Sequence, residues 1–141
     1  MMEMDSCGVL LKQIHDTLEK NVNNAMRAQD MTMAQFGVLL MLNQTENREL
    51  SLKELEQRLH VAQSTAAGLV SRLEQKGMVE GFVDPADRRS KRVRMAEAGI
   101  ACCEEADQNM KLAEEKLLSG LTETERVIFH SLLQKVQKTM Q

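Results

Sequence analysis

Aromatic side chains are scarce in this chain. Its 141 residues include three Phe, no Trp and no Tyr. Leu, Val and Met must therefore fill any core, and hydrophobic residues at 43% are enough to build one in a single domain of ordinary size. The eleven Met suit irregular, adaptable packing. Plain core is their ordinary role, and a Met-lined ligand pocket is the other reading. The longest apolar run, Val38 to Leu42, falls far short of the ~20 residues a membrane span needs. The opening Met-Met-Glu-Met-Asp has no signal-peptide pattern. No membrane partner is expected.

Cysteine is sparse as well. Cys7, Cys102 and Cys103 are odd in number and lack metal-ligand spacing, and the adjacent pair would point in different directions on a helix. A reducing cytoplasm is the expected compartment. His15, His60 and His130 are isolated. A metal role for them with Cys102 or Cys103 would lack the i, i+4 or C-x-x-C spacing such sites use. No phosphate loop, dinucleotide fingerprint, zincin motif or nucleophile elbow is present. No enzyme activity, cofactor or metal is expected.

Positive charge is missing overall but not everywhere. The net charge of −3 argues against a globally basic nucleic-acid binder. Residues 1–50 carry four basic and seven acidic side chains, residues 51–99 nine and seven, and residues 100–141 five and seven. The one net-positive segment is 51–99. Phosphate contact needs local cations, not a cationic whole.

That segment also has the clearest local order. Ser51 with Glu54 forms an S-x-x-E capping box, and Leu52, Leu55 and Leu59 follow on one face. After a break at His60–Val61, a second helix carries Ala66, Leu69, Val70 and Leu73 as its apolar stripe. Lys76 and Gly77 are its stop signal. Two short helices so joined match a helix-turn-helix. Opposite the stripe lie Ser64, Gly68 and Ser71, flanked by Thr65 and Arg72. Such a small polar face can approach a duplex and offer hydrogen bonds to base edges. An ordinary solvated face is the bland alternative.

A hairpin follows. Val79, Gly81 and Val83 alternate with Glu80 and Phe82, and Val93 and Met95 with Arg92 and Arg94. The spacing predicts a loop from Asp84 to Ser90 between them. From Asp84 to Arg94 there are five Lys or Arg and two Asp. Helix, helix and a hairpin with a basic tip make a winged helix-turn-helix. A cationic finger of this kind can enter a minor groove, where arginine senses the negative potential.

Residues Val61 to Gly99, VAQSTAAGLVSRLEQKGMVEGFVDPADRRSKRVRMAEAG, resemble the MarR family of bacterial transcription regulators. The matching features are RLEQKG from Arg72 to Gly77, the wing D-P-x-D-R-R-S-K from Asp84 to Lys91, and Gly99. By resemblance, Arg89 is the wing-tip arginine of the minor groove, and Asp87 is the acidic partner that holds the wing arginines. Ala62 stands where the family often has Ser or Asp as helix cap, and Ala96 where it usually has Thr.

Outside this unit, residues from about Ser6 to Ala28 read as a helix. Thr32 with Gln35 is a second capping box, and the apolar helix to about Asn43 is expected to be buried on every side. Gln44 to Glu49 reads as a polar loop. A long helix from about Glu97 to Leu118 follows. Thr122 with Glu125 opens a last helix whose Ile128, Leu132 and Val136 form a row. The first helix and the last two carry more apolar surface than a small domain can cover alone. Association of two copies is the economical solution, in agreement with the family's dimers, and intramolecular packing is the alternative.

The expected fold is mostly α with a small β-hairpin wing (α+β): a winged helix-turn-helix over 29–96, with a helical dimerisation region from 1–28 and 97–141. The expected function is a sequence-specific transcriptional repressor, binding double-stranded DNA as a homodimer on a pseudopalindromic operator. By resemblance, a small anionic or phenolic effector relieves it. Gln63, Ser64, Thr65, Gly68 and Arg72 are candidates for the major groove and phosphates, and Arg88, Arg89, Lys91 and Arg92 for the wing. His15 could face an effector pocket. Two alternatives stay open: a thiol redox sensor using Cys7, although no tyrosine is present to lower its pKa, and a winged-helix protein–protein adaptor.

Overall fold

The computed structural model describes residues 5–141. Helix α1 spans Cys7–Ala28, α2 Met33–Asn43, strand β1 Glu49–Ser51, α3 Leu52–Leu59, α4 Gln63–Gln75, β2 Val79–Asp84, β3 Asp87–Met95, α5 Glu97–Leu118 and α6 Glu123–Met140. The expected class, mostly helical with a small antiparallel sheet, is the observed one. All three capping boxes form. Thr32, Ser51 and Thr122 each accept from the backbone N–H three residues on, and Gln35, Glu54 and Glu125 reach back to the cap.

The Ser51 box also has a pH signature. The Ser51 backbone N–H that Glu54 accepts holds this carboxyl below the ordinary glutamate value of 4.5. A depressed folded pKa contributes stability above the unfolded pKa and loses it as pH falls through the folded one. Glu54→Gln should therefore be less stable than wild type at neutral pH, with the difference closing below pH 4.5. Thermal melts across that range measure it.

Two compact units divide the chain between Ala106 and Asp107. The core of the first is built on Val38, Leu39 and Leu42 of α2, with Leu50, Leu55, Val70, Leu73, Val79, Val93, Met95, Cys102 and Cys103 around them. Burial of a side chain such as Leu39 is worth about 1.5–3 kcal/mol. Helix α2 is not buried all round, however. Leu40 is 41% exposed and Met33 64% exposed, because the helix packs through one face only. Met31 and Met95 are core, Met26, Met41 and Met78 edge it, and Met110 and Met140 are exposed. The first turns of α5 belong to this core through Gly99, Cys102 and Cys103.

The sheet has three strands in the order β1-β3-β2, all antiparallel. Leu50 pairs with Val93, and Gly81 pairs with Val93 from the other side. Strand β1 is not among the expected elements; it begins at Glu49, the last residue of the segment read as loop, which otherwise holds a short 3-10 turn at Glu46–Arg48. The hairpin loop is shorter than expected. Only Pro85 and Ala86 form the turn, and β3 already begins at Asp87. Two side chains close it: Asp84 accepts the Ala86 N–H at 2.9 Å, and Asp87 accepts the Arg89 N–H at 3.0 Å. The expected alternation also fails at the distal end. Val83 is 57% exposed because the tip extends past the core.

Between β2 and α5 one close approach matters. The carbonyl of Met78 accepts the Ala96 N–H at 2.9 Å, and Gly99 lies directly against that same oxygen. A Cβ at Gly99 would collide with it and with Met95 Sδ. Gly77, in the left-handed region at φ 72°, turns the chain just before.

Candidate nucleic-acid interface

Helix α4 presents its candidates outward. Ala66, Val70 and Leu73 anchor its inner face, and Gln63, Ser64, Thr65, Gly68, Ser71 and Arg72 are all exposed. The entry to the helix is set by His60, a non-glycine residue in the left-handed region at φ 55°. Ala62 is the N-cap and supplies no side-chain hydrogen bond, so the first amides of α4 have no protein cap. A β-carbon at Gly68 would have nothing within 4 Å inside the protein. Internal packing therefore does not require glycine there.

At its other end α4 is tied down by Lys76. Its ammonium donates to Gln35 Oε1 at 2.9 Å and to the carbonyl of Asp30. Gln35 is buried and also completes the Thr32 box. Lys76, read from sequence only as a stop signal, thus fastens the second helix of the pair to the α1–α2 corner. Nothing local reveals that role, since Gln35 lies 41 residues away.

The five wing cations are not equivalent. Lys91 crosses over Gly81 to Glu74 of α4, 3.3 Å away, where a β-carbon on Gly81 would obstruct it. Arg92, placed by sequence among the DNA candidates, is only 26% exposed and donates from Nε to Glu49 at 2.8 Å. Glu49 raises the Arg92 pKa above its already high value. Arg94 lies 4.8 Å over the Phe82 ring and 3.3 Å from Glu80. Among the described residues only Arg88 and Arg89 of this set form no ion pair, and both are exposed at the tip. Asp87 does not bond to a guanidinium. Its carboxylate holds the backbone N–H of Arg89, which fixes the turn and not the arginine side chain.

The remaining candidates stand apart from this surface. His15 is exposed on α1, with Nε2 3.3 Å from Glu19. Cys7 is exposed, whereas Cys102 and Cys103 are buried. Burial pushes both of the latter thiols up in pKa, and the Cys102 thiol donates to Gln29 Oε1 at 2.7 Å. A buried, protonated thiol is a poor nucleophile. The described residues hold no cluster of three metal-ligating side chains, and none of their helices is long and apolar enough to cross a membrane.

The chain has known counterparts. A sequence model of the MarR family matches residues 29–90. The HTH-type transcriptional repressor IacR of Pseudomonas putida is 27% identical over 130 residues, covering 86% of this chain and 77% of that protein. The multiple antibiotic resistance protein MarR of Escherichia coli is 28% identical, covering 95% and 92%. A crystal structure of the S. aureus MepR–DNA complex superposes with a TM-score of 0.86 at 23% identity, over 95% of this chain and 99% of that one. At that identity the likeness speaks for the fold. In sequence over its helix-turn-helix and wing, and in fold over nearly its whole length, the chain is similar to the MarR family of winged-helix regulators.

Proposed function

We propose that this protein is a sequence-specific transcriptional repressor that binds a pseudopalindromic DNA site as a homodimer and is released by a small-molecule effector. One observation carries the DNA reading. The exposed small polar face of α4 is accompanied, among the described residues, by exactly those wing cations that no carboxylate occupies, Arg88 and Arg89. Free guanidiniums at a hairpin tip suit a narrow minor groove, and a small helix face suits the major groove. The relatives' names, a transcriptional repressor, a multiple antibiotic resistance protein and a DNA complex, support the same reading.

Exposed apolar side chains support the dimer. In α1 these are Leu10, Leu11, Ile14 and Val22, and in α6 Val127, Ile128, Leu132 and Val136. Rows of this kind are costly in water and mark association surfaces. The helices outside 29–96 are accordingly assigned to dimerisation. The effector would be a small anionic or phenolic compound that prefers the DNA-incompatible spacing of the two reading heads. His15 is not assigned to it, since the neighbouring Glu19 carboxylate would repel an anion.

Selection of bound duplexes from a random pool tests the proposal. Two inverted half-sites about 10 bp apart are expected, with log affinity falling linearly in log salt. A monomer by sedimentation, or no preference among duplexes, would refute it. Gly68 offers a sharper measurement. Gly68→Ala should stabilise the free protein by about 0.5–1 kcal/mol, because helical glycine is unfavourable and the methyl meets nothing. The same methyl should weaken binding to the selected duplex.

A further inference from the structure

We propose that Arg92 is a positioning residue that locks the wing to the helix-turn-helix and does not itself touch nucleic acid; this rests on the DNA-binding reading above. Arg92 lies in the central strand, opposite Ser51 of β1 on one side and Phe82 of β2 on the other. Its guanidinium meets three carboxylates from three elements. Nε is 2.8 Å from Glu49 of β1, and Nη1 is 4.0 Å from both Glu54 in the first turn of α3 and Asp84 at the end of β2.

Two of these carboxylates hold other backbone groups. Glu54 closes the cap of α3, and Asp84 closes the wing turn through the Ala86 N–H. Arg92 thus couples the start of the helix-turn-helix to the turn of the wing, hydrogen-bonded to Glu49 and within ion-pair range of the other two carboxylates. A planar guanidinium with five donors suits this role. The same surroundings exclude phosphate contact. Three carboxylates about one guanidinium leave a net negative site, which repels phosphate. Reaching a phosphate would also break the 2.8 Å bond to Glu49.

The sign of one substitution decides. Glu49→Gln removes a negative charge beside the proposed interface. If Arg92 were a phosphate contact, freeing it would leave binding unchanged or tighten it. As a positioning residue, it loses its grip, and affinity for the duplex selected by wild type should fall about threefold to tenfold. Arg92→Gln should fall similarly, the double variant no further than the worse single, and the salt slope should stay at the wild-type value. Glu49→Gln binding as tightly as wild type, or a slope reduced by about one in Arg92→Gln, would overturn the proposal.

A second readout needs no DNA. Amide hydrogen exchange through the wing turn should accelerate several-fold in both single variants, while the core amides of α2 keep their protection. Unchanged exchange in the turn would also overturn the proposal. If wild type selects no duplex yet exchange accelerates, the DNA reading fails and the locking role of Arg92 stands.

Discussion

Gly99→Ala should lower the melting temperature by roughly 10 °C, the equivalent of about 3 kcal/mol. The added methyl would meet the Met78 carbonyl oxygen and Met95 Sδ. Neither can step aside cheaply. Met95 is packed in the core, and the Met78 carbonyl is held by the Ala96 N–H. The start of α5 would have to lift away from the turn that follows α4. Gly81→Ala is the control. There the obstructing atoms are the far ends of Lys91 and Glu74, which can rotate away, so a much smaller loss is expected. Equal melting temperatures for Gly99→Ala and wild type would mean that α5 is not seated as described.

Arg88→Ala with Arg89→Ala should cost about tenfold or more in affinity for the selected duplex and reduce the salt slope by about two. Stability should not change, because neither side chain enters an ion pair among the described residues. Lys91→Ala provides the contrast. Its ammonium is already engaged with Glu74, so a smaller change in slope is expected. Should the double variant bind like wild type across a salt titration, the wing tip would have no part in binding.

Much of this was legible in the sequence because it is local. Ser51 and Glu54, Thr32 and Gln35, Thr122 and Glu125 each meet within one turn, so spacing alone announces them. The same holds for the Gly77 stop and the inner stripe of α4. Two of the misreadings concern partners distant in sequence. Strand β1 has three residues and no period of its own; it exists because β3 pairs with it. Arg92 looked like one more free cation, since Glu49 lies 43 residues away. The length of the wing loop depended on Asp84 and Asp87 turning their carboxylates onto backbone amides, which composition does not disclose. The apolar run of α2 suggested full burial, yet a helix of two apolar faces can leave one uncovered in a single copy.

The bare start of α4 leaves room for engineering. Ala62 holds the extended backbone of a cap without supplying one. Serine at this exposed position would raise stability by about 1 kcal/mol, on the scale measured for helix caps. Aspartate would do as much for the isolated chain, yet would set a fixed negative charge beside any approaching polyanion. A laboratory seeking a hardier scaffold would therefore choose the hydroxyl over the carboxylate.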